Sequence, residues 1–192
     1  MNMTRLLAST ALALSLATGA NAASIIGSFP GAGIGVTADT NPIAIGTTFS
    51  FASGATTSNG TGDLSGLLAG TVFTISSFTA TAGGTFSYDI PNWGSFISVG
   101  NLVVGQSGPD NNRTVSVFAA GTFTPGANLA SFDPDDASVT FSATQTGDAV
   151  VISASFTFAS PPAPPPGIPE PMSLALFGLG LAGLGVAMRR KA

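Results

Sequence analysis

Between Ala23 and Ser160 apolar side chains recur at every second position, and that period decides the fold class of the chain. Val139, Phe141 and Ala143 alternate with Ser138, Thr140, Ser142 and Thr144, and Ile152, Ala154, Phe156 and Phe158 alternate with Ser153, Ser155 and Thr157. Val115, Val117 and Ala119 alternate around Ser116 in the same way. A period of two places one face of an extended strand in a core and the other in water. The segments Thr47 to Ser53, Thr71 to Thr81, Gly84 to Ile90 and Ser95 to Val104 read alike. Turn formers separate them: Ser58-Asn59-Gly60, Ala82-Gly83-Gly84, Pro91-Asn92, Ser107-Gly108-Pro109-Asp110, Thr124-Pro125-Gly126 and Thr146-Gly147-Asp148. Only Leu64, Leu67 and Leu68, beside Asp63, suggest a turn of helix. The expected fold is all-β, a single jelly-roll-like β-sandwich over residues 23–160 with roughly eight to ten strands. A right-handed β-helix would require a repeat period, and none is found.

The chain has no Cys, so no disulfide framework can hold this body together, and a hydrophobic core must. Its length is near that of a common single domain, and 13 of the 14 Phe lie in it, Phe177 being the exception. Arg113 is the only Lys or Arg between Ala23 and Gly167, against eight Asp and no Glu, which leaves a formal charge of −7. Such a surface repels phosphates, and nucleic-acid binding is excluded.

The same segment lacks His, Cys, Lys and Glu, so the usual general bases, thiolates and Schiff-base amines are missing. A paired-aspartate mechanism of the glycosidase kind survives this filter, with Asp133, Asp135 and Asp136 as its candidates. The simpler reading of Asp-Pro-Asp-Asp is a solvated turn entering the strand at Ala137; the expectation is no catalytic residue and no enzyme. Hard oxygen ligands also suit Ca²⁺, and the same three aspartates with Asp110 or Asn112 are the candidate metal ligands, although the Gly and Glu of an EF-hand loop are absent. No other cofactor is expected. Trp93 and Tyr88, the only Trp and Tyr, flank the turn Ile90-Pro91-Asn92. They are candidate sugar contacts, weighed against packing over the end of the core.

The flanks differ in composition. Arg5, the apolar stretch Leu6 to Ala17 and the small-x-small triplet Ala20-Asn21-Ala22 read as a signal peptide over residues 1–22, cut by signal peptidase after Ala22. Residues 161–168 form a Pro-rich linker that would span about 20 Å as polyproline II. Met172 to Met188 is a run of 17 residues without charge, roughly 25 Å as a helix. Arg189, Arg190 and Lys191 follow it as a cytoplasmic stop. A transmembrane helix over 172–188 with a basic tail at 189–192 is therefore expected, with the body outside.

Ile168-Pro169-Glu170-Pro171, the apolar run and the basic end together resemble the PEP-CTERM sorting signal of Gram-negative bacterial surface proteins, over residues 169–192. The resemblance implies that an exosortase, a membrane protease, recognises Pro169, Glu170 and Pro171 and removes the helix behind them. It further implies export through the inner membrane, a membrane-anchored precursor, and a final place at the cell surface or outside the cell, in envelopes that export polysaccharide. Two functions compete on this basis. One is a non-catalytic cell-surface or extracellular-matrix protein associated with exopolysaccharide or biofilm; the other is a secreted carbohydrate-binding or carbohydrate-active β-sandwich protein.

Overall fold

A computed structural model of the protein describes residues 23–147 and 152–162. The expected signal peptide, the linker beyond Pro162 and the whole sorting tail lie outside these residues. The described chain is all-β, and its helical pieces are two short 3-10 turns, Gly62–Leu64 and Ala127–Leu129. The N-terminal half holds β1 (Gly27–Ile34), β2 (Thr37–Ala38), β3 (Thr48–Ser50), β4 (Ser53–Thr56), β5 (Val72–Ile75) and β6 (Phe78–Thr79). The C-terminal half holds β7 (Ser87–Ile90), β8 (Gly94–Ser98), β9 (Val103–Ser107), β10 (Asn112–Pro125), β11 (Asp135–Thr146) and β12 (Ile152–Ser160).

Nine strands form one antiparallel sheet in the order β11-β12-β1-β4-β5-β7-β8-β10-β9, and a further β11–β10 pairing closes it into a ring. Strands next to each other in sequence are mostly neighbours in the ring, and β1 pairs β12 to join the two ends, Gly27 opposite Ser160. This corrects the expected jelly-roll order: the chain winds up and down in a barrel-like arrangement. The strands β2, β3 and β6 leave that path to make a separate three-stranded sheet. Closure has a physical advantage for a lysine-free body, because a ring leaves few unpaired strand edges to attract other chains.

The two longest strands organise the layers. On one edge β10 pairs β11 over Asn112 to Phe123; on the other it pairs β9 over Thr114 to Phe118 and β8 over Gly121 to Pro125. Their inward positions, among them Val117, Phe123, Val139 and Phe141, join one interior cluster. Phe29 stands at one focus of that cluster, stacked on Phe158 at 5.2 Å and meeting Phe73, Tyr88 and Phe156 edge-on or nearly so. Phe141 is the other focus, in contact with Phe49, Phe51, Phe78 and Phe86. Phe49 and Phe78 come from the small sheet, so that sheet covers the half of β11 nearest Thr146. Each such pair adds about 0.5–1.5 kcal/mol beyond the area it buries.

Polar side chains hold the long connection between β2 and β3. Gln145 of β11 is 1 % exposed; its Oε1 accepts the Ile43 N–H at 2.8 Å and its Nε2 donates to Asn41 Oδ1. Gln106 Oε1 accepts the Ile45 N–H at 2.9 Å, and the buried Thr47 Oγ1 accepts that of Ala44. These bonds satisfy backbone donors that a strand ladder would otherwise have to satisfy, and they carry Ile43 into the core.

Gly121 marks where β10 passes from β9 to β8. A Cβ there would lie 2.1 Å from the Ile97 carbonyl oxygen and 2.7 Å from Ser98 Cα, so any side chain must push backbone aside. Gly121→Ala is expected to destabilise the fold by about 1–3 kcal/mol. Gly83→Ala, where nothing lies within 4 Å, is expected to be neutral. Denaturant unfolding of the two variants side by side checks this.

Candidate functional site

The turn between β7 and β8 positions Trp93 through its backbone. Trp93 N–H donates to Ile90 O at 3.0 Å and its carbonyl accepts the Gly126 N–H at 2.9 Å, while Asn92, with φ 65°, accepts from Asn128 N–H. The indole is half-buried and packs against the interior cluster. Its Cη2 would lie 2.9 Å from a Cβ on Gly66, so the absent side chain there makes room for the ring. Trp93 therefore takes the position of a lid over one end of the core.

Tyr88 is corrected by the structure as a ligand contact. It is 2 % exposed, its ring lies among Phe29, Phe73, Phe96, Phe156 and Phe158, and a surface-bound sugar cannot reach it. The reason is strand parity: Tyr88 and Ile90 sit on the inward phase of β7. Its hydroxyl has no hydrogen-bond partner among the described residues. Burial pushes the phenol well above the ordinary tyrosine range, since an apolar surround disfavours phenolate.

The three aspartates do not converge with the residues expected to help them. Asp135 and Asp136 are successive residues of β11 and point to opposite faces of the sheet. Asp135 Oδ1 accepts the Asp136 N–H at 2.8 Å, the local turn-type bond the sequence suggests. Asp110 and Asn112 lie at the other end of the β10–β11 pair, because Asn112 faces Thr146 whereas Phe123 faces Asp135. Eleven residues of strand separate them, roughly 37 Å. Among the described residues no group of three or more His, Cys, Asp or Glu is placed to hold a metal ion.

At that far end the structure brings together residues the sequence did not mark as a group. Asn41, Pro42, Pro109, Asp110 and Asn111 line an open cleft of about 640 Å³. Asp110 forms an ion pair with Arg113, the one cation of the body, whose Nε has no partner among the described residues. Asp110 and Arg113 stand three residues apart, a spacing at which such a pair can form, and Asn41 is bonded from across the sheet by Gln145. The sequence-predicted Ala20, Ala22, Pro169, Glu170, Pro171, Arg189, Arg190 and Lys191 lie outside the described residues.

Two outcomes are expected at these aromatics. Trp93→Ala should lower stability by about 1–3 kcal/mol; unchanged stability with lost polysaccharide retention would instead make the indole a ligand contact. Tyr88→Phe should leave stability equal or raise it by up to about 1 kcal/mol at neutral pH, by removing an unpaired buried hydroxyl. Above about pH 10 the unfolded chain loses its tyrosine proton before the folded chain does, so wild-type stability falls as pH rises and the Phe variant should lack that fall. Denaturant melts at neutral and alkaline pH read both.

No curated protein and no solved structure matches the chain. Residues 167–191 match the family model of the PEP-CTERM protein-sorting motif. The chain thus carries, behind its β body, the tail that marks a protein for export and exosortase sorting to the cell surface.

Proposed function

We propose that this is a non-catalytic cell-surface or extracellular-matrix protein of a Gram-negative bacterium. In this reading signal peptidase removes residues 1–22 and the chain crosses the inner membrane. The helix at 172–188 then holds the precursor until an exosortase cuts near Pro169-Glu170-Pro171. The released body works outside the cell in association with exopolysaccharide or biofilm. The observation that carries the reading is the sorting-motif match at residues 167–191, set a few residues after the last strand ends at Ser160. The run between them is Pro-rich in sequence, a composition that favours the extended peptide a protease needs.

The lack of catalytic function is supported by the chemistry of the body. With no His, Cys, Lys or Glu between Ala23 and Gly167, proton transfer would rest on aspartates, and of the candidates Asp135 and Asp136 are successive strand residues that point to opposite faces of β11. The two carboxyl groups of a glycosidase must flank one glycosidic bond, which carboxylates on opposite faces of a sheet do not do. The absence of lysine also leaves no ε-amine for isopeptide attachment, so a covalent link to the envelope would use the new C-terminus made by tail cleavage.

Intact mass of the protein from its native host, with and without the host exosortase, tests the reading. Loss of everything beyond the Pro-Glu-Pro region only when the protease is present is the expected result, with the shortened form in the extracellular fraction. A full-length tail in both strains would overturn sorting and leave a permanently anchored body.

A further inference from the structure

Two loops from distant parts of the chain make the cleft at the Thr146 end of the β10–β11 pair, and hydrogen bonds pin both. Pro109, Asp110 and Asn111 belong to the β9–β10 turn, where the Asn112 N–H donates to Pro109 O at 2.9 Å and the Gly147 N–H donates to Asn111 O at 2.7 Å. Gly108, with φ 86°, opens this turn, and a Cβ on it would stand 2.1 Å from Asn112 O. Asn41 and Pro42 belong to the β2–β3 connection, which the buried Gln145 holds through Asn41 Oδ1 and the Ile43 N–H. Walls fixed in this way need little further ordering when a ligand enters.

The charges of the cleft select its ligand. Asp110 is 77 % exposed while its partner Arg113 is 16 % exposed, so the carboxylate is presented to solvent with its charge offset from the protein side. Arg113 is the only Lys or Arg between Ala23 and Gly167. No second cation is available for an anion, and the acidic body repels one. A hard cation would find a single carboxylate, already paired, where it needs several oxygen ligands; among the described residues no group of three His, Cys, Asp or Glu could hold it. A neutral ligand rich in hydroxyls meets neither objection. Its hydroxyls donate to the carboxylate and exchange hydrogen bonds with amides, and its C–H faces pack on the rings of Pro42 and Pro109. The volume, about 640 Å³, is in the range of small-molecule sites. Past Asn112 and Thr146 the outward positions of β10 and β11 are Thr114, Ser116, Ser142 and Thr144, because Val115, Val117, Phe141 and Ala143 face the interior cluster. The strand surface leading away from the cleft is hydroxylated and uncharged, so a chain longer than the cleft meets no like charge on it.

We propose that this cleft binds a neutral polysaccharide, with Asp110 and Asn111 as its hydrogen-bonding residues and Pro42 and Pro109 as its packing surface. The assignment rests on the proposed association with exopolysaccharide and gives that association a site. Ala23, whose carbonyl accepts the Asp133 N–H, and Pro162, which lies beside Asp136, are at the opposite end of the β10–β11 pair, so neither end of the described body obstructs the cleft.

Binding of the full-length protein to neutral and acidic fractions of its host's own exopolysaccharide tests this. Wild type should bind the neutral fraction, in the presence of EDTA as in its absence. Asp110→Ala and Asn111→Ala should each weaken that binding about tenfold, the loss of one hydrogen bond. Both side chains are exposed, so the melting temperature should not change, and Asn111→Ala leaves the Asp110–Arg113 pair intact. Equal binding by wild type and both variants would overturn the cleft assignment and leave the polysaccharide association standing. No binding of either fraction by wild type would overturn both. Preference for the acidic fraction, or loss of binding in EDTA, would overturn the neutral ligand in favour of a charged one.

Discussion

The ring closes because phenylalanine rings lie where glycines leave them space. At Gly31 of β1 a Cβ would stand 2.3 Å from Phe156 Cζ; at Gly54 of β4 it would stand 2.4 Å from Phe73; at Gly33 it would meet Phe51 at 2.9 Å. Gly31 and Gly54 each face a ring supplied by another strand, Gly33 faces one from the β3–β4 connection, and together they let β1 approach both β12 and β4. Glycine in a strand ordinarily weakens it, and here the loss is offset by aromatic burial on a chain with no disulfide to fall back on. Pro30 fits the same strand because β4 pairing starts only at Gly31. Without β1 the sheet would have two long free edges, and the barrel-like form would open.

That dependence explains what was legible in the sequence. β10, β11 and β12 could be read because their inward positions are filled by Val, Phe, Ala and Ile in strict alternation. β1 could not: Gly27, Pro30, Gly31 and Gly33 erase the pattern, although Phe29 at its centre is the focus of one aromatic group. The jelly-roll expectation failed for a related reason, since strand order is set by pairings such as Gly27 with Ser160 that no local period encodes. β8 and β9 merged into one reading, Ser95 to Val104, because the intervening Gly100 and Asn101 were taken into the run.

The candidate sites follow the same logic of parity and distance. Tyr88 was readable as a core residue, since Phe86, Tyr88 and Ile90 keep one phase, but its proximity to Trp93 in sequence suggested a shared surface. Asp135 and Asp136 look like a pair until they are placed on a strand, where adjacent residues face apart. Asp110 and Arg113 are joined by their i, i+3 spacing, but no sequence pattern joins Asn41 to them. Gln145, a buried amide of β11, reaches across to Asn41 and Ile43 of the β2–β3 connection, a contact that no local pattern encodes.

The closed ring also places the two chain ends of the described body together. Ala23 O accepts the Asp133 N–H, the Ser160 hydroxyl donates to Ile25 O, and Pro162 lines a groove with Asp136. Ala23 and Pro162 therefore share one end of the β10–β11 pair. The cleft of Asn41, Asp110 and Asn111 occupies the other, some eleven strand residues away. A membrane anchor behind Pro171 would hold the Ala23 end toward the bilayer and turn the cleft end outward. The other end, with its Asp110–Arg113 pair, would then be the first surface to meet the extracellular medium.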